Sequence, residues 1–303
     1  MKYAIEKKSK KALNRPRNAL MAFVFSLAIP GLGQVYNGQL KKGAIFLGFI
    51  FFLHIVFGVT RAVTYFYGLL LLLIIEILFR IYIIIDGVVN AKRQKEYTLK
   101  PYNKWYYYLL ISIGMVIILM VYDTQKILGI QTFEIPSTAN SPTVQAHDLI
   151  VADLRAYKNS EPDYGDMVVF SGSDGEIHTF RVVGKPNDIL EVIDNVVTIN
   201  NRQSKSTFIR ETIEENIPVI EFEEELPNGH KHSIYKFKQP YNTAVRNIKD
   251  IVIPPDNYYL LGDNRDNAAD SRYKGFISRD SIKGQIVYSF WGQSTDRVNI
   301  DFR

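Results

Sequence analysis

The sequence predicts a chain of two unlike parts: an α-helical membrane region over residues 1–122, then a mostly-β domain over residues 123–303 that lies outside the membrane. Three observations predict it. Residues 1–122 hold 16 Lys and Arg against 4 Asp and Glu, while the remainder holds 20 against 27. Three long, nearly continuous apolar runs fall within the basic part. Beyond about residue 123 the pattern changes to short runs rich in Val and Ile, separated by turn residues.

Taken in order, the first 18 residues are too basic and too poorly apolar for a cleavable leader, and no small-residue cleavage site follows them. The apolar stretch at about 19–36 is interrupted by Pro30-Gly31 and Gly33, so it is expected to double back as a re-entrant hairpin. Spans are expected at about 44–59, 66–85 and 106–122, each near the length that crosses a hydrocarbon core. Lys and Arg cluster before residue 19, at Lys41-Lys42 and between Lys92 and Lys104, whereas the loop near 60–65 carries only Arg61. By the positive-inside rule the N-terminus is then cytoplasmic and everything after about residue 123 lies outside, which implies a multi-pass protein of a cytoplasmic membrane. Glu76 and Arg80 stand one turn apart in the second span and are expected to pair with each other and stabilise the bundle, the alternative being a proton or ion relay.

The second part reads as a barrel or sandwich built from runs such as GDMVVF and ILEVIDNVVTIN, with turns at Lys185-Pro186-Asn187-Asp188 and Asn200-Asn201. Residues about 201–250 are acidic and punctuated, with a hairpin signal at Pro227-Asn228-Gly229, and are expected to form an inserted cap lobe. Cysteine is absent, which excludes disulfides, thiolate nucleophiles and Cys-bound zinc. His147 with Asp148 and Asp153, or His230 with His232, lack the spacing of a metal site, so neither metal nor cofactor is expected. An acidic outer part, with basic residues flanking spans, argues against nucleic acid as a partner.

Two resemblances bear on function. IPGLGQVYNGQLKKG (Ile29–Gly43) resembles a small bacterial membrane module with a Pro-Gly-x-Gly-Gln turn and a Tyr-x-Gly repeat. PSTANSPTVQAHDLIV (Pro136–Val151), YGDMVVF (Tyr164–Phe170), RVVGKPNDILEV (Arg181–Val192) and GDNRDNAADSRYKGF (Gly262–Phe276) resemble, in order, the boxes of the bacterial type I signal peptidases. That resemblance implies a membrane-anchored serine endopeptidase fold whose cleft takes the end of a signal peptide as an added strand. It also implies a serine nucleophile, a neutral buried lysine as base and a serine that orients the lysine.

This chain departs from the family at all three positions: Ala139 for the nucleophile, Phe180 for the base and Ala268 for the orienting serine. Asn140 replaces a methionine, and His147 a glycine. Ser137, which matches the family's oxyanion-hole residue, and Asp263, Asn264, Arg265, Asp270 and Arg272 are retained. Ser141 and His178 are the remaining pair from which a Ser-His mechanism could be built, although His178 lies two residues from the base position. The expectation is a signal-peptidase-like protein without the catalytic residues. It binds signal peptides or exported segments, partners an active peptidase or the secretion machinery, or serves as an envelope platform. The competing expectation is an active signal peptidase.

Overall fold

The computed structural model describes residues 16–239 and 247–303. The basic segment before residue 16 and part of the expected cap lobe, 240–246, lie outside the described residues. Two compact units are present: one of helices up to Leu128, the other running from Gly129 to Arg303 and including Thr64–Phe66.

In the helical unit α1 (Ala19–Ala28) starts where the Asn18 side chain accepts the backbone N–H groups of Leu20 and Met21. It stops at Pro30, and Gly31, at φ 89°, turns the chain into α2 (Leu32–Tyr36). Side chains do not fit here: a Cβ on Gly31 would lie 2.3 Å from the Gly43 carbonyl oxygen, and one on Gly33 2.6 Å from that of Ala22. With ten and five residues, neither helix is long enough to cross a bilayer. Among the described residues two helices are long and apolar enough to do so, α3 (Leu40–Val59) and α4 (Phe66–Arg93). α3 begins four residues before its expected limit, and α4 ends eight residues beyond its own. The shorter α5 (Trp105–Val121) and α6 (Thr124–Leu128) follow.

The polar residues of the Ile29–Gly43 motif stitch this unit together. Buried Gln34 donates to the Ile83 carbonyl (2.8 Å) and Asp86 (3.1 Å), Asn37 donates to the Gly87 carbonyl (2.7 Å), and Lys42 pairs with Asp86 (2.6 Å). The expected Glu76–Arg80 pair does not form. Glu76 instead meets His54 at 2.5 Å, whose other ring nitrogen is 2.8 Å from the Tyr122 hydroxyl. Arg80 donates to the Leu27 carbonyl at 2.5 Å. The reason is local: the last carbonyls of α1 have no partner within their own helix, and the Arg80 guanidinium supplies one of them with a donor.

The second unit is antiparallel. A seven-stranded sheet runs β1 (Ile130–Glu134), β2 (Leu149–Asp153), β14 (Ile282–Trp291), β3 (Met167–Ser171), β4 (Ile177–Gly184), β12 (Asn257–Leu261) and β13 (Ile277–Ser278). Its central strands are covered on both faces, which is why they read as continuous apolar runs and not as alternation. On β3, Val168 and Phe170 enter one cluster with Phe180, Val182 and Leu260, while Met167 and Val169 enter another with Ile150, Ala152 and Ile286. A four-stranded sheet joins β11 (Ile248–Val252) to β5 (Ile189–Ile193), β6 (Val196–Ile199) and β7 (Arg202–Gln203). A three-stranded sheet of β10 (Lys231–Phe237), β9 (Ile217–Glu225) and β8 (Lys205–Glu214) occupies the stretch expected to form the cap lobe. The β9–β10 connection turns at Pro227–Gly229, with Gly229 at φ 88°. The short helix α7 (Ser271–Lys274) is capped by Asp270.

Candidate functional site

The loop Pro136–Thr143 leaves β1 and lies against β4 and the segment after β12. Its shape is set by hydrogen bonds to the last box. The Asn264 N–H donates to the Ala139 carbonyl (3.1 Å), the Asn264 side chain to the Thr138 carbonyl (3.1 Å), and Asn267 to the Thr138 hydroxyl (3.1 Å). On the β4 side Asn140 donates to the Thr179 carbonyl (2.7 Å) and hydroxyl (2.8 Å). At the tip of the β8–β9 hairpin, Glu215 accepts from Thr138 (3.1 Å) and Glu214 from Ser141 (2.6 Å).

Ala139, Phe180 and Ala268 converge on one glycine. A Cβ added to Gly262 would lie 2.4 Å from the Ala268 Cβ, 2.5 Å from the Ala139 carbonyl oxygen and 3.3 Å from the Phe180 ring. Phe180 and Ala268 are buried in a cluster with Val168, Tyr258 and Leu260, and Ala139 packs on its edge. The point of convergence is therefore apolar.

Buried ion pairs hold this arrangement. Arg181 forks onto Asp263 at 2.8 and 2.6 Å and also donates to the Gly165 carbonyl. Burial raises the Asp263 carboxyl, and the Arg181 guanidinium overrides it, leaving the group below its ordinary value. Asp270 accepts from the Gly262 N–H (3.0 Å) and from two Arg272 nitrogens (2.8 and 2.6 Å). Arg265 pairs with Glu224 with both side chains at 0% exposure, and His232 lies 3.2 Å from the same carboxylate. Burial, with the nearby Arg181 cation, pushes His232 down to about 4.

Ser137 is exposed, while Ser141 is buried and its hydroxyl is committed to Glu214. The His178 ring meets Asp174 at 2.9 Å and Lys274 at 2.8 Å and stacks 6.5 Å from Phe180. These contacts, the His178 bond first, hold Asp174 far below the usual carboxylate range. Among the described residues no hydrogen bond joins His178 to a serine, and no cluster of His, Asp and Glu is suited to hold a metal. His147 stands at φ 66°, in the left-handed region that favours glycine. Glu214 and Glu215 were not indicated by sequence reasoning, whereas Thr138 and Arg181 fall inside the boxes without being singled out. The first two sit more than 70 residues from their partners.

A family model described as "Signal peptidase, peptidase S26" matches residues 103–291. Signal peptidase I of Rickettsia conorii is 29% identical over 210 residues, covering 58% of this chain and 79% of that protein. A probable signal peptidase I-2 of Synechocystis is 25% identical over 218 residues, covering 68% and 82%. A solved signal peptidase I from Enterococcus faecalis matches 42% of this chain and 97% of its own at 21% identity and a TM-score of 0.26.

Proposed function

The chain belongs to the signal peptidase family, peptidase S26, and from that premise we propose that it holds signal peptides or exported segments without cutting them, or partners an active peptidase. The observation that supports this reading is the apolar meeting point of Ala139, Phe180 and Ala268 at Gly262. Hydrolysis by the family's chemistry needs a hydroxyl nucleophile and a base there, and loss of a serine nucleophile alone costs a factor of about 10⁶ in kcat. Retention of Asp263, Asn264, Asp270 and Arg272 supports a loop kept in shape for binding.

In this reading α3 and α4 cross the cytoplasmic membrane, α1 and α2 dip into it from the basic side, α5 makes a further crossing, and the β unit lies outside. The detergent-solubilised chain is expected to leave a preprotein uncut, and a photoreactive signal-peptide analogue is expected to attach close to exposed Ser137. Cleavage that disappears on Ser137→Ala, Ser141→Ala or His178→Ala would establish the competing reading, an active serine endopeptidase. Absence of crosslinking would instead favour an envelope platform.

A further inference from the structure

Within the helical unit a cavity of about 580 Å³ is walled by Ile29, Pro30, Leu47, Ile50, Phe51, Ile77, Ile81 and Met115. His54, Glu76, Arg80 and Tyr122 also line it. A second, purely apolar cavity of about 250 Å³ shares Ile29, Pro30, Leu47 and Met115 with it and extends along α2. We propose that this pocket binds a single-chain carboxylic acid, with the chain along the apolar walls and the carboxylate on Arg80. The proposal rests on α4 crossing the membrane.

Shape and polarity together point to the ligand. Ile77 and Ile81 are exposed along one wall, so the pocket is an open apolar groove along which an extended hydrocarbon chain can lie. Glu76 is already bonded by His54, which in turn meets Tyr122, whereas the Arg80 guanidinium has one partner among the described residues, the Leu27 carbonyl. Its remaining N–H groups are the least satisfied in the pocket, and they match a carboxylate. Arg80 is also deep: it lies mid-way along the 28 residues of α4, about 20 Å from either end. A phosphodiester head, which is permanently charged, does not reach that depth. A carboxylic acid does, because it enters neutral; its O–H proton then leaves to water and the carboxylate pairs with the Arg80 guanidinium, so the filled pocket holds a neutral ion pair.

The test uses the purified full chain in lipid nanodiscs with three diazirine-bearing probes: palmitic acid, the alcohol of the same length, and a phosphatidylcholine. The acid is expected to label peptides containing Leu47, Ile77 or Met115 about tenfold more than the alcohol or the phospholipid. Arg80→Gln should bring acid and alcohol to equality. Because Arg80 also supports the end of α1, Leu47→Trp provides a second variant that fills the cavity without touching that bond, and it should abolish labelling by the acid. Equal labelling by all three probes, or undiminished acid labelling in both variants, overturns the proposal. Release of the unlabelled chain from membranes by alkaline carbonate would instead show that α4 does not span, and a chain that cleaves preproteins yet keeps the acid preference would fail only the proposed function.

Discussion

Glu224 and Arg265 have no exposure to water and lie against each other, so changing one leaves the other as an uncompensated buried charge. Arg265→Met is expected to cost about 3–5 kcal/mol, and the double change to Met and Leu much less, read as melting of the detergent-solubilised chain. His232 gives the same region a pH response. Its folded value, about 4, lies below the ordinary histidine value of 6.5, so the unfolded chain takes up a proton before the folded one does. Stability is therefore complete above about pH 6.5 and falls as the pH drops toward 4, by up to about 3 kcal/mol, and His232→Gln should flatten that decline. A wild-type melt unchanged between pH 7 and 4.5 would refute this. Residues in one box, such as Ala139, were legible because their spacing is covalent. Glu214 and Glu215 were not, because nothing local says where a hairpin tip will dock. The Glu76–Arg80 expectation failed for a related reason: helical spacing brings two charges within reach, but His54 and the Leu27 carbonyl offered better partners from other helices.

Elements show the same division. Gly33 stands in the interrupted stretch and Gly48 inside an expected span, and the structure separates them in the same way: a Cβ on Gly33 meets the Ala22 carbonyl oxygen at 2.6 Å while one on Gly48 meets nothing within 4 Å. Gly33→Ala should open the α1–α2 hairpin and lower the melting temperature. Gly48→Ala should raise stability by up to about 1 kcal/mol, since glycine is a poor residue inside a helix. If the two substitutions behave alike, the close approach of α1 and α2 is not what holds the hairpin. Turn chemistry made the Pro227–Gly229 and Asn200-Asn201 reversals readable, with Asn200 and Asn201 at φ 50° and 64°. The three-stranded sheet itself was not readable as such, because β8 is exposed along most of its length and lacks the apolar alternation that marks a half-buried strand.

For the molecule as a whole, the charge split made the division into two units legible, and it carries a prediction about sidedness. Since the chain has no cysteine, single cysteines at exposed Asn159 and Asn228 should react with an impermeant thiol reagent in intact cells, and one at exposed Glu96 should not. Reaction at Glu96 alone would reverse the orientation. The hydrogen bonds of Gln34 add a constraint on when, and not only where, the helical unit forms. This buried amide finds the Ile83 carbonyl 49 residues downstream and Asp86 at 52. At roughly 5–20 residues per second a ribosome needs about 2–10 s to supply them. For that interval the first hairpin exists without the partners of its central polar group, so it waits for α4 before it locks. A cysteine at Ser26, fully buried in the finished unit, should accordingly react in chains halted at residue 70 and be protected in chains halted well beyond residue 93.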